Sequence, residues 1–272
     1  MPEPLKFPLL LTASVDTRGM NGAMFSSVER EKMYVDTLNF YIDTLSSRYS
    51  EVKIVFAENS GWNLEDIKKK LTKKDNVEIE FVGLSPEMFD QSKGKSYNEM
   101  LMMDKAVETS ALLRQSKGFF KLTGRFALKN IDRIIGELER RGGEGLAFFG
   151  DCKDHNVYDR LHMKINGHSG ESRFYYVSKN FYDQWFVGRY ATMNDYEEKT
   201  VEAWLLEVMR SNRRRKDVVV RLRTQSHFTG KGAHSLGKGL AFFYSTDNDS
   251  PALTFKRRLR QVFRWVFPFW WC

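Results

Sequence analysis

The sequence predicts an α/β fold in which helices flank a mainly parallel sheet and a C-terminal amphipathic helical tail follows. Short apolar segments alternate with segments of helical periodicity four times before residue 150, as in strands joined by crossover helices. The 272 residues, 42% of them hydrophobic, allow a large buried core. We therefore expect one domain over residues 1–250, built from halves 1–150 and 151–250, and a tail over 251–272.

Local signals justify each element of the first half. A buried strand is expected within residues 5–15, and Ser26 and Glu29 then have the spacing of a capping box at the start of a long helix. Asn63 is expected to cap a short helix that extends to Leu71. Apolar runs predict strands over 52–57, 77–82, 118–123 and 145–150, and periodic runs predict helices over 97–114 and 131–140.

The second half has a different rhythm. Strands are expected over 157–165 and 173–178, and helices over 179–186 and 197–211. In open α/β sheets, ligands bind in the crevice at the carboxyl ends of the strands. The first half should supply one wall of that crevice, and the second half is expected to build the other.

Cysteine content and missing motifs exclude several protein classes. Two cysteines cannot form a disulfide framework, which favours a reducing compartment. No G-x-G-x-x-G follows the first strand, and the chain has neither a P-loop motif nor G-x-S-x-G. The five histidines lack the spacing of a zinc site. These absences argue against a Rossmann oxidoreductase, a P-loop NTPase, a serine hydrolase and a zinc protein.

The net charge of +8 is concentrated near the C-terminal end. Residues 250–272 contain five cations and no carboxylate, so the rest of the chain is nearly neutral. A nucleic-acid-binding protein normally carries its basic stripe on the folded domain, beside exposed aromatic side chains. No nucleic acid is therefore expected as a partner. The alternative to an enzyme is a basic nucleic-acid- or polyanion-binding protein without catalysis, which would use the tail and the basic cluster at 210–223.

Four segments resemble a known family. They are Glu58-Asn59-Ser60 at a strand end, KGKSYNE at 93–99, FFKLTGR at 119–125 and RFYYVSK at 173–179. Together they resemble the nucleotide-sugar glycosyltransferases with a GT-A-like fold, and more narrowly the small bacterial capsule and O-antigen transferases. The resemblance covers residues 8–210. It implies a hexosyltransferase that moves a sugar with inversion from a nucleotide-diphosphate donor, a UDP-sugar such as UDP-galactofuranose, to a lipid-linked bacterial surface glycan.

The end of the strand at 118–123 departs from the wider family. Most members carry Asp-x-Asp there, which holds a divalent cation, Mn or Mg, against the donor diphosphate. This chain has Thr123-Gly124-Arg125 instead, so the resemblance implies either no metal or a metal held differently. Arg125 with Lys121 and Lys95 could neutralise the departing diphosphate, although these residues could also form a turn with solvated cations.

Two other acidic segments remain candidates. Asp247 and Asp249 form a literal Asp-x-Asp, but they lie in a run of turn residues that predicts a loop. Asp151 directly follows a predicted strand, so it could contact the sugar or a metal, or remain structural.

Further donor contacts are expected at the strand ends. Thr12, Ala13 and Asp16 should lie beside the nucleotide, unless Asp16 acts as a capping carboxylate. Glu58 or Asn59 could bind the base or the ribose, or could form a turn. The resemblance also implies substrate contacts from Glu99, Thr123 and Arg173.

The resemblance implies a general base from the acceptor half, near the start of a late helix. Inverting transfer needs a carboxylate that takes the proton of the acceptor hydroxyl. Glu197, Glu198 and Glu202 are the candidates, and four-residue spacing places Glu198 and Glu202 on one helix face. The alternative is that they are exposed carboxylates facing Lys199 and the basic run at 213–216.

The tail has the composition of a membrane-interface anchor. Cations and a Trp270-Trp271 end accompany a periodic apolar face, so we expect contact with an anionic membrane surface. A helix docked on the core is the alternative. No apolar run is long enough to span a bilayer. The expected location is cytoplasmic and peripheral on the inner face of the cell membrane. The apolar face comprises Phe255, Leu259, Val262, Phe263 and Val266, and the other faces carry Lys256, Arg257, Arg260 and Arg264.

Overall fold

A seven-stranded sheet forms the centre of the fold. The computed structural model describes residues 2–20, 23–154, 167–232, 243–244 and 251–267. The strand order in this sheet is β10-β6-β9-β4-β1-β2-β3. Its strands are β1 Leu9–Ala13, β2 Val52–Glu58, β3 Val77–Gly83, β4 Gly118–Thr123, β6 Phe148–Phe149, β9 Phe174–Ser178 and β10 Val218–Val219.

The sheet is parallel except at one strand. β1 pairs in parallel with β2 and β4, β2 with β3, and β6 with β10. Only β9 runs the other way, between β4 and β6. The carboxyl ends of β1, β2, β4 and β6 therefore lie along the same edge, together with the start of β9. The predicted mainly parallel α/β sheet is confirmed.

Helices cover both faces of the sheet, as the sequence predicted. Side chains of β1 alternate between two cores: Leu9 and Leu11 pack on one face, and Leu10 packs on the other. Helices α1 and α5 cover the first face, whereas α3, α6 and α7 cover the second. The helices are α1 Ser27–Ser46, α2 Leu64–Lys68, α3 Gly94–Thr109, α4 Ala111–Gln115, α5 Ile131–Arg140, α6 Lys179–Trp185, α7 Val201–Asn212 and α8 Pro251–Val266.

The described residues also form two smaller sheets. A three-stranded sheet has the order β12-β11-β5, and β7 pairs with β8 in a hairpin-like ladder. These strands were not predicted, because each is only two to four residues long and carries little periodicity. They are β5 Ala127–Leu128, β7 Cys152–Asp154, β8 His168–Gly170, β11 Phe228–Lys231 and β12 Phe243–Tyr244.

Local hydrogen bonds explain where the predicted boundaries hold and where they are wrong. The capping box of Ser26 and Glu29 is present at the start of α1, and Asn63 caps α2. The helix predicted over 97–114 begins earlier and is broken at Ser110, whose Oγ accepts the N–H of Leu113 and starts a new helix. The strand predicted over 145–150 shortens to Phe148–Phe149. The strand predicted over 157–165 and the pair Asp247 and Asp249 lie outside the described residues.

The C-terminal helical tail is confirmed as α8. Among the described residues, no helix is both long enough and apolar enough to span a membrane. The terminal Trp270 and Trp271 lie outside the described residues.

Candidate functional site

A cavity lies where the carboxyl ends of β1 and β4 meet the first turns of α1 and α3. It opens to solvent and, together with the solvent space at its mouth, has a volume of about 560 Å³. Gly124 extends β4 alongside β1, and its N–H donates to the carbonyl of Thr12 over 2.9 Å. A side chain at Gly124 would collide with that carbonyl at 2.8 Å, so this close approach requires glycine. The cavity is lined by six of the residues predicted for the site: Thr12, Ala13, Lys95, Glu99, Thr123 and Arg125.

A buried ion pair forms the floor of this cavity. Lys121 is 1% exposed, and its Nζ lies 2.6 Å from Oε1 of Glu99. The same ammonium donates to Oγ1 of Thr123 over 3.0 Å and to the carbonyl of Ser172 over 2.6 Å. Three acceptors therefore satisfy its three N–H groups. Lys121 does not line the cavity, so the expectation that it neutralises a diphosphate directly is corrected: it acts on the site by holding Glu99.

Glu99 carries a negative charge into the cavity. Burial alone would raise the pKa of Glu99, but Lys121 and Lys95 outweigh burial and hold that pKa well below its usual range. Oε1 accepts hydrogen bonds from Lys121 and from Oγ1 of Thr12. Oε2 lies 3.5 Å from Nζ of Lys95, within ion-pair distance. The carboxylate is therefore ionised and fixed in place by groups from three elements.

Three polar atoms around the cavity are buried without a hydrogen-bond partner among the described residues. They are Oδ1 of Asn98, Oε2 of Glu99 and Nε of Arg125. Buried polar atoms in proteins almost always have a partner, so such a group calls for an explanation. All three side chains line the cavity. Two acceptors and one donor on lining residues thus lack a hydrogen-bond partner among the described residues, although Oε2 of Glu99 is within ion-pair distance of Lys95.

Lys95 connects this cavity to Glu202. Nζ of Lys95 lies 3.4 Å from Oε1 of Glu202, which also accepts the hydroxyl of Ser172 over 2.7 Å. Burial disfavours the charged form of Lys95, but Glu202 and Glu99 outweigh it and raise the pKa of Lys95 above its usual value. Burial also disfavours the charge on Glu202, yet Lys95 and Ser172 lower the pKa of Glu202 overall. Both groups are therefore charged at neutral pH.

Glu198 does not share a helix face with Glu202, so that prediction is wrong. Glu198 has a left-handed backbone with φ of +59° and follows a short 3-10 helix at Asp195–Glu197. Helix α7 begins only at Val201, because Oγ1 of Thr200 accepts the N–H of Ala203. Glu198 is exposed, and Glu197 pairs with Lys199 over 2.6 Å. Of the three candidate bases, only Glu202 reaches the charged groups of the cavity.

Glu58 has a structural role rather than the expected contact with a base or ribose. It is fully buried, and its carboxylate accepts the N–H groups of Val15, Ser60 and Trp62 over 2.9–3.1 Å. These bonds tie the end of β2 to the loop after β1. The neighbouring Asn59 accepts the hydroxyl of Ser14.

A second, smaller cavity of about 310 Å³ adjoins the first and shares Ser14 and Asn98 with it. Asn59 and Asp16 line this second cavity. The carboxylate of Asp16 also accepts the N–H of Arg18 over 2.9 Å within a turn, so it caps no helix there.

Asp151 and Arg173 lie at the same sheet edge but outside the first cavity. Oδ2 of Asp151 accepts a hydrogen bond over 2.7 Å from Arg264 of the C-terminal helix. Arg173 forms a two-bond fork with Glu171, and its guanidinium lies 4.3 Å from the ring centre of Phe228. Asp151 therefore neutralises a cation of the chain itself, and the expected direct contact with a sugar or metal is not supported.

The residues at the end of β4 do not fit a carboxylate-bound divalent cation. Mg²⁺ and Mn²⁺ sites are built from several oxygen ligands, mainly carboxylates. Here Lys121, Lys95 and Arg125 surround a single carboxylate, Glu99, which is already bonded to Lys121. A dication at this place would be repelled by three side-chain cations. No chemical step is therefore assigned to a metal.

Three residues of the site were missed by sequence reasoning. Asn98 immediately precedes Glu99 within the KGKSYNE segment, so the resemblance could have included it. Arg30 lines the first cavity, and its Nε donates to the carbonyl of Ser14 over 2.8 Å. Ser172 bridges Lys121 and Glu202. Arg30 and Ser172 lie in no recognisable motif, and only the fold brings them to the site.

No protein family model matches the chain, and no curated protein matches it in sequence. Several solved structures are similar to it. The WbbM bifunctional glycosyltransferase is 11% identical over 79% of this chain and 38% of its own length, with a TM-score of 0.45. Mouse xyloside xylosyltransferase 1 is 10% identical over 80% of this chain and 85% of its own, with a TM-score of 0.44. The inositol-1-phosphate CTP transferase from T. maritima is 10% identical over 96% and 98%, with a TM-score of 0.48. This chain thus spans little more than a third of the first protein, and nucleotide-sugar glycosyltransferases recur among the structures that it resembles.

Proposed function

We propose that the chain is a nucleotide-sugar glycosyltransferase whose donor binds in the cavity between β1, β4 and α3. The observation that carries the proposal is the set of three buried polar atoms on Asn98, Glu99 and Arg125 that lack a hydrogen-bond partner in the described part of the chain, beside the charged Lys95. Amide and carboxylate oxygens accept hydrogen bonds from sugar hydroxyls, and a guanidinium binds phosphate oxygens. A nucleotide-diphosphate sugar offers both kinds of group. Its place at the carboxyl ends of the strands is where ligands bind in this class of sheet.

Side-chain cations would stabilise the departing diphosphate. Negative charge builds up on the leaving group as the sugar–oxygen bond breaks, and fixed donors aimed at that charge lower the barrier. Arg125 and Lys95 both line the cavity. The amide N–H of Ser96 in the first turn of α3 already donates to Asp195 over 3.0 Å. The binding of the diphosphate therefore depends on side chains more than on the N-terminus of α3.

Glu202 is the proposed general base for the acceptor hydroxyl. It is ionised at neutral pH, as a base must be, but its lowered pKa makes it weak. A bound diphosphate would place negative charge beside Lys95 and so raise the pKa of Glu202 towards the working pH. Donor binding would thus strengthen the base when the acceptor is attacked. The remaining residues around Glu202, Ser172 above all, hold its carboxylate in place.

The proposal also includes the donor, the acceptor and the roles of the chain segments that the sequence predicted. The donor is a UDP-sugar and the acceptor a lipid-linked bacterial surface glycan of the capsule or O-antigen type, with inversion at the transferred sugar. Residues 1–150 form the donor half, 151–250 the acceptor half, and 251–272 the membrane-associating tail. Five large apolar side chains on α8 are exposed, which supports a peripheral location on the inner face of the cell membrane.

The alternative of a polyanion-binding protein has less support. Within the basic cluster at 210–223, Arg210 pairs with Asp154 and Arg215 pairs with Asp217, each over 2.6–2.7 Å. These cations are partly neutralised inside the domain. A polyanion would have to compete with the two carboxylates.

A thermal-shift panel tests the proposed function. A ligand that binds only the native state raises the apparent melting temperature, so UDP should raise it more than UMP or uridine. Arg125→Ala should remove the shift, whereas Arg140→Ala, an exposed arginine at the end of α5, should retain it. Equal shifts with all nucleoside diphosphates would contradict the choice of UDP. No shift with any of them would contradict the proposed function itself.

A further inference from the structure

The C-terminal helix α8 presents an apolar stripe to solvent. Phe255, Leu259, Val262 and Val266 are spaced as one helix face, and each is between 46% and 68% exposed. Trp265 beside them is 68% exposed. Isolated apolar residues on a surface are normal, but a contiguous stripe marks an interaction site. Residues 251–272 also contain five cations and no carboxylate, and the charge of the cations other than Arg264 complements an anionic surface.

The opposite side of α8 is docked on the domain. Arg264 donates from Nη1 to Oδ2 of Asp151 over 2.7 Å and to the carbonyl of Leu222 over 2.9 Å. Gln261 accepts the N–H of Gln225 over 2.9 Å and donates to the carbonyl of Arg223. The polar side of the helix thus contacts the domain while its apolar side faces away. The helix can bind a second surface without leaving the first.

The pair of Arg264 and Asp151 makes docking hard to reverse. The two side chains are only 13% and 11% exposed. Oδ1 of Asp151 is buried and has no hydrogen-bond partner among the described residues. Arg264 therefore offsets the buried negative charge of this carboxylate. Removing one partner from a buried pair leaves an uncompensated charge, which is strongly unfavourable. The structure therefore favours a docked helix, the alternative that sequence analysis left open.

Asp151 connects the helix to the proposed base. It lies two residues after the end of β6, and its carbonyl accepts the N–H of Glu171 over 2.8 Å. The next residue, Ser172, donates to Glu202 through its hydroxyl and accepts from Lys121 through its carbonyl. A continuous chain of contacts thus runs from Arg264 to the two carboxylates of the site.

We propose that α8 binds an anionic bilayer through its apolar stripe while it stays docked, so that the bilayer stabilises the Asp151 and 221–225 region next to the site. A ligand that binds only the docked state shifts the population towards it. The membrane would then act as an effector of the acceptor side as well as a place of attachment. That the region of Asp151 and 221–225 belongs to the acceptor side rests on the proposed function. The coupling between bilayer binding and the docking of α8 does not rest on it.

Amide hydrogen exchange on the full chain tests this coupling. We compare the wild type, Arg264→Met and the control Arg258→Met, an exposed arginine of the same helix whose loss removes the same charge. Each is measured alone, with phosphatidylglycerol vesicles and with phosphatidylcholine vesicles. In the wild type, phosphatidylglycerol vesicles should slow exchange over 221–225 at least tenfold. Arg264→Met should abolish this slowing, while its vesicle co-sedimentation matches that of Arg258→Met.

Further variants keep the test decisive if Arg264→Met folds poorly. Asp151→Asn combined with Arg264→Met removes both charges and should restore the wild-type melting temperature more closely than Arg264→Met alone. Gln261→Ala should reduce the vesicle effect on 221–225 without a change in net charge. Faster exchange over 221–225 on vesicles, or equal behaviour of the two arginine variants, would overturn the proposal. So would a lack of vesicle binding with self-association of the chain through the stripe.

Exchange and co-sedimentation need no donor or acceptor, so they separate this inference from the proposed function. Loss of nucleotide binding in the thermal-shift panel would leave the coupling intact. If vesicles have no effect on exchange while UDP still binds, only the proposed coupling is contradicted.

Discussion

The donor side and the C-terminal side of the sheet edge are held together in different ways. Around Glu99, the contacts come from β1, β4 and α3, and a fully satisfied ammonium lies beneath them. Around Asp151, the described side-chain partner is Arg264, on a helix more than a hundred residues further along the chain. Rigid strands fix the first region, whereas the second depends on the docking of one helix. The proposed donor-binding residues are therefore fixed by the central strands of the sheet. The part of the site that can respond to a binding partner is the one held by α8.

Lys121→Met should cause the largest loss of stability, because it would break the ion pair that holds the strand-fixed donor side together. It removes the nearer charged partner of the buried Glu99 and leaves only Lys95 at 3.5 Å, which costs roughly 3–5 kcal/mol of unfolding free energy. Urea denaturation would measure this loss. The double variant Lys121→Met, Glu99→Gln should recover a large part of it. Additive losses in the double variant would contradict the pairing.

Arg125→Ala should lower turnover strongly while the fold stays intact. Loss of a cation aimed at leaving-group charge raises the barrier by roughly 3 kcal/mol. Steady-state kinetics would show this in kcat/KM, because UDP binding is weakened as well, with Arg140→Ala as the matched control. Near wild-type kinetics would return Arg125 to the role of a strand-end turn residue.

Glu202→Gln and Glu198→Gln form a matched pair for the proposed base. Loss of a general base lowers turnover about 100-fold or more, so Glu202→Gln should do so while UDP binding persists. Glu198 is exposed and precedes the helix, so its variant should remain close to wild type. Equal kinetics for the two variants would exclude Glu202 as the base.

Acid should remove the stabilisation that the ionised Glu99 contributes. The native pKa of Glu99 lies below its unfolded value of about 4.3, so its contribution to stability is present above that value. The contribution is lost as the pH falls through the native pKa. The pH dependence of the melting temperature should therefore be shallower below pH 4.3 in Glu99→Gln than in the wild type. An unchanged slope would show that other carboxylates dominate.

Chelation should have the smallest effect. The cations at the end of β4 disfavour a bound dication, so EDTA should leave turnover within about twofold of the untreated enzyme. Complete loss that manganese restores would show that ligands other than Glu99 hold a metal.

The sequence predicted those parts of the fold that depend on neighbouring residues. The Ser26 capping box and the limits of β4 follow from spacings within a few residues, and both are confirmed. The break at Ser110 was missed because the periodic apolar pattern continues through it. The start of α7 was missed because Thr200 competes with the acidic run as the helix cap.

The candidate site was less predictable because its contacts join distant segments. Glu99 meets Lys121 across 22 residues, and Asp151 meets Arg264 across 113. Either pairing depends on strand order and register, which short motifs do not encode. Motif resemblance identified Lys95, Glu99, Thr123 and Arg125, yet it could not separate a buried supporting lysine from a lysine that faces the cavity. The two lysines differ in burial, which the structure shows and a short motif does not.

The strand order has a consequence for the synthesis of the chain. β1 lies between β2 and β4, and Leu9 of β1 pairs with Phe120 of β4. A nascent chain can pair β1 with β2 and β2 with β3 early, but its sheet edge beside β1 stays open until β4 leaves the ribosome. Non-local pairing of this kind is slow, and exposed edges invite association between chains. Since Thr12 and Thr123 meet only when β4 docks, no donor could assist folding before that step.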